Sequence, residues 1–493
     1  MRGDVEFGTI PGLVRLAADR HGDAPAVVDG EVTLSYRSLR EVSLRTACGL
    51  RALGVARGDR VATWAPNSWK WIAVALGAHH LGAQLVPINT RYKGAEAAYV
   101  LERSRARVLF TVDDFLGVDY PAELRRAGVE LPALEHVITE VPHGNAAEAE
   151  VAPDDVGDLM FTSGTTGRPK AVPATHAQSL RAYRDWGNVV GLRAGDRYLV
   201  VAPFFHTFGY KAGFLAAFMV GATVYPQATF DPAAVLARIP RDRISVLPGP
   251  PTLYQTLLAR PDLREYDLSS LRLAVTGAAV IPVELVRRMR RELGFQTVIT
   301  GYGLTEATGI ATMCRDGDDE ETIAATSGRA IPGVEVAIRD DGEIVVRGYN
   351  VMRGYLDDPD ATAEVLDAEG WLATGDIGAL DAAGNLRITD RKKDMFIVGG
   401  FNAYPAEIEH VLTAHPAVAM AAVVGVPDER LGEVGVAFVV PRPGTSLDGG
   451  ELGAWCRERM ANFKVPRRFE VVDALPLNAS GKVLKFQLRE RFR

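Results

Sequence analysis

The sequence contains few cysteines. Cys48, Cys314 and Cys456 are the three in a chain of 493 residues, and no two of them form a CxxC pair. Disulfide-stapled scaffolds and cysteine-based zinc sites need closely spaced cysteines, so the sequence argues against both classes. Scattered single thiols are typical of a reducing compartment, and we expect a cytoplasmic protein.

Basic clusters and long apolar segments are also missing. The net charge is −7, which does not favour nucleic acid as a partner. The longest apolar run, residues 212–225, is shorter than the roughly 18–20 residues that a membrane helix requires. The opening residues MRGDVEFGTIPG lack the apolar centre of a signal peptide. We therefore expect no transmembrane segment, and an anionic ligand would need locally placed cations or backbone N–H groups.

Short apolar runs alternate with amphipathic patterns through most of the chain. Residues 197–204, 244–249 and 271–277 predict buried strands, and residues 283–293 predict a helix. This alternation predicts the α/β fold class. After about residue 390 the pattern changes to that of a small α+β unit, so we predict domains over residues 1–391 and 392–493.

The stretch FTSGTTGRPK, residues 161–170, has the composition of an anion-binding loop. Its glycines let the backbone approach a ligand, its hydroxyl and N–H groups can donate to phosphate oxygens, and Lys170 adds positive charge. The loop is not a Walker A motif, because Gly164 and Gly167 are separated by only two residues. Taken alone, the stretch leaves a polar surface turn open as the alternative.

Four further segments follow that loop in order: YGLTEAT (302–308), WLATGD (371–376), ITDRKKD (388–394) and NASGK (478–482). Together the five resemble the adenylate-forming superfamily, which comprises acyl-CoA synthetases, luciferases and the adenylation domains of peptide synthetases. The resemblance implies a large multi-sheet N-terminal AMP-binding domain and a small mobile C-terminal lid that turns about Lys393. It also implies an acid–thiol ligase that acts in two half-reactions. A carboxylate and MgATP give acyl-AMP and pyrophosphate, and then a thiol such as CoA takes the acyl group.

The resemblance assigns nucleotide contacts to each motif. Glu306 is implied as the Mg²⁺ ligand and Thr305 as a contact of the α-phosphate, while the carboxylate of Asp376 would accept both ribose hydroxyls. For residues 277–279, a packing turn is the alternative to an adenine contact. The other implied nucleotide-binding residues are Thr162, Ser163, Gly164, Thr165, Thr166, Gly167, Lys170, Gly277, Ala278, Ala279, Tyr302, Gly303 and Arg391. Many relatives have glycine where this sequence has Ala171.

The lid carries the remaining implied roles. Lys482 would bridge the attacking carboxylate and the α-phosphate, where preorganised positive charge stabilises the transition state. Gly399 and Gly400 would line the tunnel for the thiol after the lid has rotated. Phe463 and Arg91 are implied contacts of CoA, and simple packing or surface roles are the alternatives.

The segment PFFHTFGYKAG, residues 203–213, bears on the acyl substrate. His206 stands where acyl-CoA synthetases carry an aromatic gate, and we count it with the catalytic residues; a core histidine is the alternative. No Asp is present there to pair with an amino acid's ammonium group. We expect Phe208, Tyr210, Lys211 and Ala212 to line the pocket. Tyr210 and Lys211 could reach ring ketones of the substrate, or face solvent or the neighbouring helix.

Within the superfamily the chain resembles actinobacterial FadD-type ligases of steroid ring degradation, which activate a propanoate on a bicyclic indane-dione. The alternatives are a medium-chain or aryl acid CoA ligase, a ligase that loads a separate carrier protein, an oxidase of the luciferase type, and an inactive binding protein. Because the sequence stops at Arg493 without a carrier segment, we expect free CoA as the acceptor. A homodimer stays open.

Overall fold

A computed structural model of the chain describes residues 6–162, 169–277, 281–391, 394–398, 401–428, 431–460, 462–478 and 483–492. Residues 390, 391, 397, 401, 402 and 407 are described by their backbone alone. The predictions for Ser163, Gly164, Thr165, Thr166, Gly167, Ala278, Ala279, Lys393, Gly399, Gly400 and Lys482 fall outside the described residues.

The strands of the described residues fall into two groups along the chain. Those of the larger N-terminal part are β1 (Pro25–Asp29), β2 (Val32–Ser35), β3 (Arg60–Trp64), β4 (Gln84–Pro87), β5 (Val108–Thr111), β6 (His136–Ile138), β7 (Val156–Thr162), β8 (Lys170–Thr175), β9 (Arg197–Val200), β10 (Thr223–Pro226), β11 (Leu273–Gly277), β12 (Thr297–Tyr302), β13 (Thr312–Met313), β14 (Arg329–Ala330), β15 (Val334–Ile338), β16 (Glu343–Gly348), β17 (Leu372–Leu380) and β18 (Leu386–Arg391). The later ones are β19 (Phe396–Val398), β20 (Phe401–Ala403), β21 (Val418–Asp428), β22 (Gly432–Pro441) and β23 (Arg468–Val471).

The α-helices pack on these strands. They are α1 (Ile10–His21), α2 (Tyr36–Ala52), α3 (Trp69–His80), α4 (Gly94–Ser104), α5 (Tyr120–Arg126), α6 (His176–Val190), α7 (Thr207–Gly209), α8 (Ala216–Val220), α9 (Pro232–Asp242), α10 (Pro251–Leu258), α11 (Val283–Glu292), α12 (Glu320–Ala325), α13 (Pro359–Val365), α14 (Pro405–Thr413), α15 (Gly449–Arg459) and α16 (Lys485–Arg489). A π-helix, Tyr210–Leu215, joins α7 to α8, and 3₁₀ turns occupy Leu263–Glu265, Thr305–Ala307 and Glu490–Phe492.

Five sheets form the described part of the chain, which confirms the α/β class and the multi-sheet N-terminal domain. The N-terminal sheets have the strand orders β6-β5-β3-β4-β7-β8, β2-β1-β10-β9, β11-β12-β13-β14 and β15-β16-β17-β18. The first three contain parallel strands covered by helices, as α/β architecture requires. The fifth sheet, β20-β19-β22-β21 with β23 beside β22, belongs to the smaller C-terminal domain.

The two domains have separate hydrophobic cores. One large cluster of buried side chains draws its members from Phe7 to Leu386. Two clusters of the C-terminal domain begin at Phe396 and at Ala422, and the buried members of both belong to that domain. The predicted boundary between residues 391 and 392 remains a prediction.

Two predicted strands are wrong in extent. The strand predicted over residues 197–204 ends at Val200. Residues 244–249 form single parallel bridges from Val246 to Tyr198 and to Leu273, and not a continuous strand. Pro248 lacks the N–H group that would continue the ladder with β9, whereas the N–H of Gly249 still donates to the Val275 carbonyl oxygen of β11 at 3.0 Å. The segment nevertheless links β9 to β11 through backbone hydrogen bonds, such as Leu199 N to Val246 O at 3.0 Å.

No helix among the described residues has both the length and the apolar character needed to cross a membrane.

Candidate active site

The predicted phosphate loop connects two paired strands. β7 and β8 run antiparallel, and their last pair places Thr162 opposite Lys170. Residues 157–160 of β7 are buried, whereas Thr162 and Lys170 are both half-buried at the open end of the hairpin. The hairpin therefore holds both ends of the hydroxyl-rich loop together at the edge of the core.

Two glycines bring neighbouring strand ends into close contact. Gly277 ends β11 and pairs with Gly301 of the parallel strand β12. A Cβ atom at Gly277 would lie 2.6 Å from the Gly301 carbonyl oxygen, so a larger residue would push the strands apart. The next residue along β12 is Tyr302, which places the predicted adenine contacts side by side at the carboxyl ends of parallel strands, where ligands of open α/β sheets bind.

Tyr302 and Asp376 meet, although 74 positions separate them. The Tyr302 hydroxyl donates to Asp376 Oδ2 at 2.6 Å, and both side chains are buried. The backbone N–H of Asp376 donates to Thr374 Oγ1 at 3.1 Å, which orients the turn in β17. Arg391 of β18 is the backbone partner of Asp376. Three of the predicted nucleotide residues are thus brought to one place.

Glu306 lies in a tightly fixed turn. Its carbonyl oxygen accepts from Met352 N at 2.8 Å, and the Asn350 side chain donates to the carbonyl of Ile310 at 2.7 Å on the other side of the turn. Gly303 approaches the backbone of Gly309 so closely that an added Cβ would lie 2.2 Å from its carbonyl oxygen. The turn after β12 therefore holds Thr305 and Glu306 on a rigid base formed by residues 350–352.

Tyr355 is a site residue that sequence reasoning missed. Its hydroxyl donates to Glu306 Oε1 at 2.9 Å, and its ring lies 4.9 Å below the ammonium group of Lys170. Burial, together with the charge of Glu306, raises the pKa of Tyr355, so the hydroxyl remains a donor. Lys170 is attracted to the ring face. Tyr355 thereby joins the phosphate hairpin to the predicted Mg²⁺ ligand, and no local pattern in MRGYLDD reveals this.

His206 is the first candidate acyl-site residue of the segment 203–213. The side chain is exposed to solvent, and its Nδ1 accepts from the N–H of Phe208 at 3.2 Å. Desolvation by the neighbouring protein atoms lowers the pKa of His206. A core histidine, the alternative reading, does not fit an exposed side chain.

Tyr210 and Lys211 do not face a pocket or solvent. Tyr210 is fully buried, and its hydroxyl shares a hydrogen bond of 2.8 Å with His79 Nε2 on α3. Lys211 forms a buried ion pair with Asp158 of β7 at 2.9 Å. The expectation that these two side chains reach ring ketones of a substrate is wrong, because both polar groups are directed into the core and paired there. Ala212 is buried as well, and Phe208 is half-buried.

The described residues include no group of three or more His, Cys, Asp and Glu side chains that could hold a metal ion. Mg²⁺ in nucleotide sites usually binds one or two carboxylates and completes its shell with phosphate oxygens and water. Glu306, a half-buried carboxylate beside the phosphate hairpin, fits that pattern. Tyr355 donates to Oε1 of Glu306, so Oε2 of the same carboxylate takes no part in that hydrogen bond.

Two predicted CoA contacts have ordinary surroundings in this structure. Phe463 packs partly buried against the core of the C-terminal domain, and Lys464 lies 5.6 Å from its ring. Arg91 is exposed, and its backbone N–H donates to Asn89 Oδ1 at 2.9 Å. Their roles toward CoA remain predictions.

Two family models match the chain. The one described as AMP-binding enzyme covers residues 14–356, and the one described as AMP-binding enzyme C-terminal domain covers residues 407–482. The methyl-dioxo-octahydroindenyl-propanoyl:CoA ligase of Mycobacterium tuberculosis is 53% identical, over 98% of this chain and 99% of that protein. The ligase of the same name from Rhodococcus jostii is 50% identical, over 98% of each chain.

A solved structure extends this likeness to the fold. The anthranilate CoA ligase AuaEII in complex with anthranoyl-AMP superimposes with a TM-score of 0.90 at 29% sequence identity. The match covers 99% of this chain and 98% of that one.

Proposed function

The chain belongs to the AMP-binding enzyme family, and from that premise we propose that it is an acyl-CoA ligase for a bulky fused-ring propanoate. Such an enzyme is an acid–thiol ligase that uses ATP with Mg²⁺ and CoA. In the first half-reaction a carboxylate oxygen attacks the α-phosphorus of ATP, the bond to the β-phosphate breaks, and pyrophosphate leaves. In the second, the CoA sulfur attacks the acyl carbon and AMP leaves.

One observation carries the proposal. Three motif segments that are distant in sequence, together with Tyr355, are joined by side-chain contacts: Tyr302 to Asp376, and Glu306 through Tyr355 to Lys170. The first contact offers an aromatic face and a carboxylate, as adenosine requires, and the second offers a cation and an Mg²⁺ ligand, as a triphosphate requires. A protein that kept the fold but bound no ATP would not need an adenosine-binding contact and a triphosphate-binding contact close together.

The roles within this site follow from chemical type. Lys170 would neutralise phosphate charge, and the Asp376 carboxylate would accept the ribose hydroxyls. Glu306 would hold Mg²⁺, which when bound neutralises the phosphate oxygens of ATP. Thr305, beside Glu306 in the same turn, would donate to the α-phosphate. These assignments, together with that of Arg391 to the ribose or a phosphate, remain proposals.

The second half-reaction depends on the C-terminal domain. We propose that it turns about Lys393, first to bring Lys482 to the α-phosphate and later to bring Gly399 and Gly400 to the thiol channel. A single lid can serve both steps only if it changes position between them. Residues 392–493 as lid and 1–391 as body remain our proposed division.

The substrate class rests on the relatives and on His206. The two ligases from Mycobacterium and Rhodococcus are named for a dioxo-octahydroindenyl propanoate and match nearly the whole chain. At His206, an imidazole carries no negative charge that could pair with the ammonium group of an amino acid, which argues against amino-acid activation. Medium-chain fatty acids and aryl acids are the alternative substrates, and a carrier protein is the alternative acceptor. A homodimer also remains a proposal.

Pyrophosphate release tests this function. The enzyme with MgATP would be offered indane-dione propanoates, octanoate and benzoate, first without and then with CoA. We expect the highest kcat/KM with the fused-ring acids, and we expect acyl-AMP to disappear as CoA is added. If only octanoate or benzoate reacts, the proposed fused-ring substrate is wrong. If acyl-AMP persists after CoA is added, CoA is not the acyl acceptor. If no acid releases pyrophosphate, the proposed ligase activity is wrong.

A further inference from the structure

A buried ion pair connects the proposed acyl segment to the strand that enters the phosphate hairpin. Lys211 Nζ lies 2.9 Å from Asp158 Oδ1, and the two side chains are 1% and 0% exposed. Lys211 stands on the π-helix, five residues after His206, whereas Asp158 stands on β7, four residues before Thr162. At about 3.3 Å per residue, Asp158 lies roughly 13 Å along the strand from the start of the phosphate loop.

The π-helix is anchored at two neighbouring positions to two different elements. Tyr210 bonds to His79 on α3, and Lys211 pairs with Asp158 on β7. π-helical turns are rare and occur frequently at functional sites. Gly209, just before the π-helix, has no room for a Cβ atom, which would lie 2.2 Å from the Pro203 carbonyl oxygen. The turn from His206 to the π-helix is therefore fixed from both sides.

Stability alone does not explain a buried ion pair here. Replacing such a pair with apolar side chains of similar volume is often neutral or stabilising, whereas removing one partner is strongly destabilising. What an ion pair adds is a defined distance and direction between two elements. Of the two elements joined here, the π-helix directly follows the proposed acyl residues His206 and Phe208, and β7 leads into the proposed phosphate loop.

The histidines around the pair do not compete with either partner for its opposite charge. His79 and His176 both approach Lys211, and burial together with neighbouring positive charge lowers the pKa of His79. Both imidazoles are therefore neutral near pH 7, and neither competes with Lys211 for Asp158. Burial raises the pKa of Asp158, and the charge of Lys211 together with the hydroxyl of Ser179 on α6 opposes that rise.

We propose that Lys211 and Asp158 are a positioning pair that sets the place of the His206 and Phe208 wall relative to the triphosphate site, and thereby the selectivity for the acid. This inference rests on the proposed function, because it assigns that wall to the acyl pocket. It predicts that the pair acts on acid recognition through position, not by contact with the substrate.

The double variant Lys211→Met with Asp158→Leu separates position from stability. The single variant Lys211→Met leaves Asp158 buried and unpaired, so its Tm falls by several degrees. In the double variant no charge is left unpaired, and we expect a Tm close to that of the wild type. We nevertheless expect its KM for the fused-ring acid to rise about tenfold, with the KM for ATP within twofold. Its preference for that acid over octanoate should fall by a similar factor.

Lys70→Met is the matched control, since Lys70 also pairs with a carboxylate, Glu140 at 2.8 Å, but on the surface. It should change neither Tm nor KM. If the double variant regains its Tm together with the wild-type KM and acid preference, the pair is merely structural and the inference is overturned.

Lys211→Arg covers the case in which the double variant does not fold. It keeps the charge but carries a larger, differently shaped donor group. A folded Lys211→Arg enzyme with a raised KM for the acid alone supports the proposal, and unchanged kinetics overturn it. A wild-type enzyme that is inactive with every acid refutes the proposed function instead, and the inference falls with it.

Discussion

Tyr355→Phe tests the link between the two halves of the nucleotide site. The substitution removes one hydroxyl, which donates to Glu306 Oε1 at 2.9 Å, and keeps the ring that lies below Lys170. The carboxylate of Glu306 loses the donor that orients it, while the cation–π contact stays. The perturbation is therefore confined to the position of the proposed Mg²⁺ ligand.

The expected magnitude follows from the type of hydrogen bond. A bond to a charged group contributes about 1.5–3 kcal/mol, and the low end applies because both side chains are half-buried. At about 1.4 kcal/mol per factor of ten, the loss of roughly 1.5–2 kcal/mol corresponds to a decrease of about 10- to 30-fold. We expect this decrease in kcat/KM for MgATP, since the carboxylate serves the nucleotide and not the acid.

Tyr349→Phe is the matched control for this measurement. Its hydroxyl also donates to a carboxylate, Asp185 Oδ2 at 2.8 Å, but that pair is not part of the nucleotide site. Pyrophosphate release would be followed with ATP and Mg²⁺ varied at saturating acid, and MgATP affinity would be measured by calorimetry. The reasoning is refuted if Tyr355→Phe stays within twofold of wild type, or if Tyr349→Phe lowers kcat/KM to the same extent.

Three further predictions test other contacts. Tyr302→Phe removes the donor to Asp376, so the KM for ATP should rise about three- to tenfold with the KM for the acid unchanged; steady-state kinetics with an unaltered KM for ATP would contradict it. Burial lowers the pKa of His176 to about 4, so as the pH falls below 6.5 the unfolded chain takes up a proton that the folded chain refuses, and stability declines by about 2 kcal/mol by pH 5. The drop in Tm between pH 7 and pH 5 should therefore be smaller in His176→Gln than in wild type, and equal drops would exclude this histidine as a cause. Lys482→Ala should lose pyrophosphate release yet still form thioester from supplied acyl-AMP, and equal loss of both half-reactions in separate assays would count against its role.

The sequence motifs predict which residues serve the nucleotide, but not how they are held. Tyr302 and Asp376 were identifiable from their motifs, whereas the hydrogen bond between them depends on β12 and β17 meeting across 74 positions. Tyr355 was missed because its partners, Glu306 and Lys170, lie 49 and 185 residues earlier and nothing near it marks the contact. The strand over residues 244–249 was predicted too long, because its apolar run was weighed above Pro248. Local sequence patterns identify candidate functional residues and the approximate positions of helices and strands. Contacts between elements that are distant in sequence can be seen only in the folded structure.

Lys211 shows where a physical rule applied to the sequence would have done better. A lysine inside an apolar run suggests either a surface position or a ligand contact, and neither holds here. The strand Val156–Thr162 contains a second isolated charge, Asp158, in a run that is otherwise apolar before the phosphate loop. Because an unpaired charge in a core is very costly, two opposite charges that each stand alone in buried elements of one domain are expected to find each other. That rule does not single out Asp158 among the acidic residues of the domain, but it makes a buried carboxylate, and not the substrate, the first partner to consider for a charged residue in such a segment.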